Sequence, residues 1–170
     1  ITTDSGGTDG AVSFSSTVDA LNGTTSSLTV DSGTAATTIS GAVGATDELS
    51  GLTINTTNGD TGAITLTGIG TGTAASGSGA AAVTVGNTGT TTLTLAGTTY
   101  NIDGNAEFES VTGADKIVMT GASPTFTLHD DTISFKVGGI HLDNGTFTVN
   151  SQGGAIDIEG AITGSSDESI

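Results

Sequence analysis

The chain of 170 residues contains no cysteine, no tryptophan and no arginine, and its only lysines are Lys116 and Lys136. The absence of cysteine excludes disulfides and cysteine nucleophiles. There is no G-x-S-x-G nucleophile elbow, and no lysine follows a glycine, which excludes a phosphate-binding P-loop. No run approaches the roughly 20 apolar residues of a membrane helix, so we predict no membrane insertion.

Positive charge is nearly missing as well. Eighteen acidic residues against two lysines give a formal net charge of −16. Such a surface repels nucleic acids and anionic membranes, so we predict no nucleic-acid partner. It would keep a β-rich protein soluble and discourage contacts between strand edges. It could also attract divalent cations.

Aromatic residues are few, with five Phe and one Tyr, and hydrophobic residues make up 34% of the chain. The apolar residues are mainly Val, Ile, Leu and Ala among many Thr, and such small or β-branched residues suit a narrow stack of strands. Glycine is abundant, but it follows no G-X-Y period, which excludes collagen. The competing interpretation is disorder, which an acidic chain rich in Gly, Ser and Thr also permits. Recurring strand-like triplets favour ordered β-structure.

The sequence repeats itself. Residues 147–164 (FTVNSQGGAIDIEGAITG) match residues 28–45 (LTVDSGTAATTISGAVGA) without a gap, a third copy begins at Leu52, and a weaker one begins at Ile1. Each copy has an apolar-Thr-apolar strand, a turn of Asp, Asn, Ser or Gly, and a second strand. A glycine and a third short apolar segment follow. A unit of this kind cannot bury its apolar face alone and is typical of stacked repeats.

The spacing of the copies predicts the fold class. Phe14 to Ile39 is 25 residues and Leu28 to Leu52 is 24, which fits one coil of a parallel β-helix with three short strands. About 24–25 residues per coil would give roughly seven coils and a rod about 30 Å long. An antiparallel β-sandwich is the alternative, because its turns also recur every 8–12 residues. No segment has a helical period, so we predict an all-β protein.

We predict one β-repeat domain over residues 1–170. It comprises regular repeats in 1–67, a low-complexity loop in 68–82, an irregular β region in 83–139, and a regular repeat with an acidic end in 140–170. Because the chain opens on Ile1 without a signal peptide, we expect a processed form or an excised segment.

The acidic end is similar to an earlier junction. Residues 166–169 (SDES) match residues 46–49 (TDEL), which precede the copy at Leu52. The chain would therefore stop where a new unit starts. This predicts either a slice of a longer array or a subunit that stacks head to tail.

The candidate metal site combines two segments that carry both histidines. Imidazole and carboxylate groups could bind a transition metal, and carboxylates could take Ca²⁺. A separation of 12 residues would place the segments on adjacent turns. The alternative is that these are polar residues at strand ends. The candidate ligands are His129, Asp130, Asp131, His141 and Asp143.

A second acidic group consists of residues at turns. Asp4, Asp9, Asp31 and Asp60 are predicted as turn formers, because Asp tolerates left-handed backbone conformations. A cation could bridge such turns. We therefore predict no cofactor, with calcium as the ion that the acidic turns could hold.

Paired acids for glycoside cleavage are the remaining catalytic candidate. The candidate pairs are Glu107 with Glu109 and Asp130 with Asp131, and the spacing of Glu107 and Glu109 would place both on one face of a strand. Carbohydrate clefts usually add aromatic platforms and arginine, which this sequence nearly lacks. We therefore predict that the protein is not an enzyme.

The consensus x-L-T-V-[DN]-S-G, continued by G-A-[VI]-G, resembles the β-strand-repeat segments of filamentous-haemagglutinin-like and autotransporter-type bacterial surface proteins. The resemblance covers 1–67 and 140–164 well and the middle poorly. It implies a right-handed parallel β-helix displayed outside the cell. We therefore expect a structural or adhesive segment of an extracellular protein or fibre, whose partners are its own copies or neighbouring repeats. The alternative is a module that binds a ligand or a surface glycan through the irregular middle.

Overall fold

The computed structural model describes residues 1–4, 8–22, 24, 26–71 and 79–165. Within these residues the chain forms fourteen strands and no helix. The described residues therefore contain no helix that is long and apolar enough to cross a membrane. The strands are β1 (Val12–Phe14), β2 (Ser27–Val30), β3 (Thr37–Ile39), β4 (Gly51–Ile54), β5 (Ile64–Leu66), β6 (Val83–Val85), β7 (Leu93–Leu95), β8 (Thr99–Ile102), β9 (Ala106–Met119), β10 (Thr125–Leu128), β11 (Ile133–Leu142), β12 (Thr148–Asn150), β13 (Ile156–Ile158) and β14 (Ile162–Gly164).

The strands stack as three faces, and every named pair is parallel. The first face runs through β1, β3, β5, β7, the second part of β9, the second part of β11, and β14. The second face runs through β2, β4, β6, the first parts of β9 and β11, and β13. The third face contains β8, β10 and β12, and single bridges at Val18, Val43 and Ile69 extend it towards the N-terminus.

The molecule is therefore a parallel β-solenoid of about six turns. The predicted all-β fold is confirmed, and the antiparallel sandwich is wrong. Both spacings used for the prediction join direct partners in the ladder, since Phe14 pairs with Ile39 and Leu28 with Leu52. Other coils are longer, which explains why there are about six turns instead of seven: Leu52 pairs with Val83, 31 positions further on.

The longest repeat match relates different faces. Residues 28–30 lie in β2 on the second face, whereas residues 148–150 form β12 on the third face. The match therefore identifies a strand-turn-strand unit and not an equivalent position in the coil. The physical reason is that all three faces need the same apolar-Thr-apolar strand to bury one side.

The core is a thin column filled by alternating side chains. In β5, Ile64 and Leu66 are buried and Thr65 points outward, and the same pattern recurs in β3, β6 and β7. Because the ladders are parallel and in register, residues of one type stack on each other, as in the pair Thr65 and Thr94. Each coil therefore covers the apolar face of the next.

Strands β9 and β11 pass from the second face to the first without interruption. The sequence predicts separate strands at 106–111 and 116–119, but these form one strand of 14 residues. In β11 the register shifts on both sides of Gly138, next to Val137 at a φ of +68°. A side chain at Gly138 would overlap Ser110, so glycine is required for this close approach.

The predicted loop 68–82 contributes to the core at both of its ends. Ile69 and Ala80 are fully buried and bridge to β8. Residues 72–78, the middle of the predicted loop, lie outside the described residues, so this part of the loop stays a prediction.

Buried amides connect successive coils at the corner between the second and first faces. Asn55, which is 1% exposed, accepts a hydrogen bond from the backbone N–H of Ser32 (2.8 Å) and donates to the Ser32 hydroxyl (3.0 Å). Asn87 donates to the backbone carbonyls of Asn55 (2.7 Å) and Asp60 (3.0 Å). Buried polar groups at this corner are thus satisfied by the next coil.

We predict that Asn55→Ala destabilises the protein by about 2–4 kcal/mol. The change leaves buried Ser32 groups without partners, at about 1–3 kcal/mol, and puts alanine at a φ of +45°. Urea denaturation of Asn55→Ala beside the exposed turn variant Asn58→Ala checks this. A loss below about 1 kcal/mol for Asn55→Ala would contradict the role of the amide.

The irregular middle of the sequence contains an aromatic core. Phe126 stacks on Tyr100 with ring centroids 4.4 Å apart and an interplanar angle of 6°, and it meets three more rings edge to face. Those rings are Phe108, Phe135 and Phe147, and all five rings of this cluster are buried, whereas the sixth aromatic residue, Phe14, is partly buried. The scarce aromatic residues therefore fill one part of the column.

We predict that Phe126→Ala costs about 3–5 kcal/mol, because it removes the ring that contacts all four others and leaves a cavity. Phe14→Ala, in the half-buried first coil, is the matched control and should cost clearly less. Chemical denaturation measures both. Equal losses in the free energy of unfolding for the two variants would show that the contacts among the rings add no stability beyond that of a half-buried phenylalanine.

Candidate functional site

Three carboxylates from successive coils meet at the corner that the amides support. Asp31 directly follows β2, Asp4 follows the segment that bridges to Asp31, and Asp60 lies between β4 and β5. One ligand oxygen from each lies within 4.8 Å of the other two. We call Asp4, Asp31 and Asp60 the acidic corner. The sequence predicted these residues as turn formers, and the coil stack brings them together.

The backbone at the acidic corner is built to allow close approach. Gly33 has a φ of +57°, and a Cβ there would lie 2.7 Å from Asp9 Oδ2 and 3.2 Å from Asp4 Cβ. Asp9 Oδ2 accepts hydrogen bonds from the Thr34 N–H (2.7 Å) and the Thr34 hydroxyl (2.5 Å). Glycine therefore leaves the space that the Asp9 carboxylate and the Asp4 Cβ occupy.

Burial and like charge act together on Asp60, which is 3% exposed. Burial raises its pKa above 3.8, the charge of Asp31 raises it further, and the hydrogen bond from the Thr57 N–H opposes both. Asp4 and Asp9 add smaller contributions in the same direction as Asp31. The ionised corner therefore opposes folding when no cation is bound.

Asp31 contributes an oxygen without a partner. Its Oδ1 atom is withdrawn from solvent and receives no hydrogen bond from any described residue. A buried acceptor without a donor is costly and needs an explanation such as an ion or a water molecule.

We predict that Asp60→Asn stabilises the protein at neutral pH in a chelating buffer. Since the folded pKa of Asp60 is raised, the wild type gains stability as the pH falls through that pKa, and the advantage of the variant should shrink. Urea denaturation as a function of pH measures the difference, with the exposed Asp157→Asn as control. A difference that does not change with pH would contradict the burial of a charge at Asp60.

The predicted metal ligand His129 lies against a residue that the sequence did not indicate. Its Nδ1 atom is 2.5 Å from Asp103 Oδ1, because Leu128 pairs with Ile102 in the ladder and the next residues follow. The only signal in the sequence is a separation of 26 positions, about one coil. Asp130 and Asp131 follow His129, and Asp130 has a φ of +61° at the turn.

The second predicted histidine has carboxylates on both sides. His141 Nε2 is 3.1 Å from Asp143 Oδ1, and Nδ1 is 3.3 Å from Asp115 Oδ1 and 3.1 Å from the Thr163 hydroxyl. The structure thus brings together His141 and Asp143 and adds Asp115, whose role was missed. Within the described residues, no three imidazole or carboxylate ligand atoms outside the acidic corner lie within 4.8 Å. The five predicted ligands, His129, Asp130, Asp131, His141 and Asp143, therefore do not form one cluster of this kind. Their binding of a metal stays a prediction.

The paired acids of β9 share one outward face, as predicted. Lys136 Nζ lies 2.5 Å from Glu107 Oε2, and this hydrogen bond raises the pKa of Lys136. Burial raises the pKa of Glu109, and the charge of Glu107 adds to it, whereas Lys136 lowers it. Glu107 also lines a groove of about 320 Å³ across three coils of the second face. Lys136 therefore pairs with Glu107 and partly offsets the negative charge around Glu109.

Tyr100, the one tyrosine, is not part of that groove. It is fully buried, its hydroxyl accepts a hydrogen bond from the Gly97 N–H (3.0 Å) and it donates to the Leu66 carbonyl (3.2 Å). Its ring cannot stack on a sugar from outside. The aromatic platform that a carbohydrate site uses is therefore not supplied by Tyr100.

The last described coil ends in an open apolar surface. In the described part of the chain, β12 pairs only with β10, and β13 and β14 pair only with β11, so one edge of each remains free. A cavity of about 300 Å³ lies there, and Ile156 is 48% exposed in it. The residues around it are Phe147, Thr148, Val149, Ile156 and Ile158. We call these five residues the end cavity.

No family model matches this sequence, and neither a curated protein nor a solved structure matches it. The predicted resemblance to bacterial surface proteins stays a prediction. The function must therefore be inferred from the geometry of this chain alone.

Proposed function

We propose that the protein is a structural or adhesive segment of an extracellular surface protein or fibre, whose coils associate end to end with a second copy. The observation that carries this proposal is the end cavity, where an apolar surface and the free edges of three strands coincide. An exposed strand edge beside apolar side chains is a template for adding another strand.

The other end of the solenoid offers a surface of the same kind. In the described residues, β1 pairs only with β3, and the apolar side chains of Phe14, Val18 and Leu28 are only partly buried. Because all strands of a face run in one direction, the last coil of one copy can continue the parallel ladder into the first coil of another. Such a contact joins two different surfaces and does not close on itself, so it produces filaments.

The charge of the protein favours contact at the ends over contact along the sides. The net charge is −16, and because acids such as Asp19, Asp115 and Asp143 are exposed on the sides of the rod, two rods side by side would repel each other. At the end cavity the side chains are Thr, Val, Ile and Phe, without charge. An extended rod held by backbone ladders, without disulfides, suits a mechanical role outside the cell.

A ligand-binding module is the second candidate, and the groove of about 320 Å³ beside Glu107 favours it. The groove is lined by polar and small residues, with Thr84, Asn105 and Ser134 as hydrogen-bonding groups. A polar ligand such as a glycan would therefore bind through hydrogen bonds alone. Glycan-array binding that is lost in Asn105→Ala, with filament formation unchanged, would favour this candidate.

We predict that Ile156→Lys abolishes end-to-end association, because it places an uncompensated charge in the end cavity. Thr91→Lys is the matched control, since it adds the same charge at an exposed position in a middle coil. Sedimentation velocity over a wide range of protein concentration, together with electron microscopy, measures assembly.

The wild type and Thr91→Lys should form rods that lengthen with concentration, whereas Ile156→Lys should stay monomeric. A wild type that remains monodisperse at every concentration would overturn the proposal. So would an Ile156→Lys variant that assembles as well as the control.

A further inference from the structure

We infer that the acidic corner, formed by Asp4, Asp31 and Asp60, binds a hard divalent cation, and that Ca²⁺ is the ion that fits it best. This site is separate from the end cavity and does not depend on end-to-end association. Its occupancy would join the first three coils of the solenoid through one ion.

The ligand atoms determine the class of ion. All three ligands are carboxylate oxygens, without imidazole or thiolate. Oxygen-only sites suit Ca²⁺, Mg²⁺ and Mn²⁺, whereas zinc and copper prefer sites that include nitrogen or sulfur.

The coordination preferences of the ions favour Ca²⁺ over Mg²⁺. One ligand oxygen from each carboxylate lies within 4.8 Å of the other two, so the three carboxylates are close enough to contribute to one ion. Ca²⁺ accepts irregular sets of carboxylate oxygens, whereas Mg²⁺ demands near-ideal octahedral geometry and gives up its water molecules reluctantly.

An independent observation points to a missing partner at the same place. Asp31 Oδ1 is out of contact with solvent and receives no hydrogen bond from the described residues. A buried carboxylate oxygen in this state lacks either a donor or a cation. Since its neighbours Asp4 and Asp60 are also acidic, a cation satisfies all three groups together, whereas a single donor would satisfy one.

The chain provides no side-chain cation for the acidic corner. Both lysines lie elsewhere, Lys116 in β9 and Lys136 in β11, and there is no arginine. Asp60 is 3% exposed, so water does not screen its charge effectively. The N-terminal ammonium of Ile1 donates to the Thr29 carbonyl (2.7 Å), so an external ion is the remaining source of positive charge for the three carboxylates.

The site is held in place by the coils. The Asn87 amide donates to the Asp60 backbone carbonyl, and the Thr57 N–H donates to Asp60 Oδ2. Asp31 lies in the ladder, where its N–H donates to the Ile1 carbonyl (2.8 Å). Ligands on rigid elements lose little freedom when an ion binds, which favours affinity.

The test is calorimetric titration of the full chain with CaCl₂, together with thermal unfolding in CaCl₂ and in chelator. We expect one Ca²⁺ per chain. The dissociation constant should be no larger than about 10⁻⁴–10⁻³ M, the range of extracellular calcium-binding modules. MgCl₂ should bind at least about tenfold more weakly, because Mg²⁺ demands near-ideal octahedral geometry and gives up its water molecules reluctantly. Ca²⁺ should raise the melting temperature, and the chelator should reverse the rise.

Asp31→Asn and Asp60→Asn should each weaken Ca²⁺ binding at least about tenfold. Asp157→Asn, an exposed acid at the other end of the solenoid, should leave binding unchanged. In chelator, Asp60→Asn should melt above the wild type, and in Ca²⁺ it should melt below. This crossing separates loss of a ligand from a general loss of stability.

Asp4→Asn provides a second variant if a buried substitution prevents folding, because Asp4 is exposed and its replacement should leave the circular dichroism spectrum unchanged. It should also weaken Ca²⁺ binding. Wild-type protein that binds no Ca²⁺ in the millimolar range would overturn the inference. Binding that is reduced equally by Asp157→Asn and by the corner variants would also overturn it, since it would reflect net charge alone.

Discussion

The parallel backbone ladder is the interaction on which the rest of the structure depends. Each coil is too thin to bury its apolar residues alone, so it is stable only when a neighbour pairs with it in register. Register also places like residues on each other: Thr65 on Thr94, and the Asn55 amide beside Ser32. The same register gathers Asp4, Asp31 and Asp60, which are far apart in sequence, at one corner. A coil without a neighbour on one side leaves an apolar edge, and this is the origin of the end cavity.

Local patterns were sufficient to locate strands. The sequence predicts strands at 12–14, 83–85 and 125–128, and these are the bounds of β1, β6 and β10, because alternation of apolar residues with Thr or Ser defines a strand that buries one side. The face to which a strand belongs was not predictable from the same pattern. Face assignment depends on the length and geometry of the turns, and so residues 147–164 matched residues 28–45 although they lie on different faces. The continuous course of β9 and β11 depends on corner conformations, such as that of Val137, which the sequence does not reveal.

For the candidate sites too, the residue types were predictable from the sequence, whereas the contacts between coils were not. The sequence identified the acidic turns and both histidines from residue type alone. It did not identify Asp103 and Asp115 as the neighbours of His129 and His141, because those contacts run between coils and require the register. The aromatic core was missed for a similar reason: Tyr100 and Phe126 meet as ladder partners on the third face, and Phe108 reaches Phe126 from the second face inside the column. In this solenoid, the neighbours of a side chain are residues about one coil away in the sequence. Because the coil length varies along the chain, the sequence alone does not identify those neighbours.

The most direct test of the coil register uses the absence of cysteine, which makes introduced pairs unambiguous. Thr53 and Thr84 are partners in the ladder of the second face, and neighbouring strands lie about 4.8 Å apart, within the range that a disulfide spans. Thr94 lies on the first face. Under mild oxidation, the double variant Thr53→Cys/Thr84→Cys should form an intramolecular disulfide rapidly, whereas Thr53→Cys/Thr94→Cys should remain reduced. Equal cross-linking of both pairs, or preferential cross-linking of the second, would contradict the stack of parallel coils.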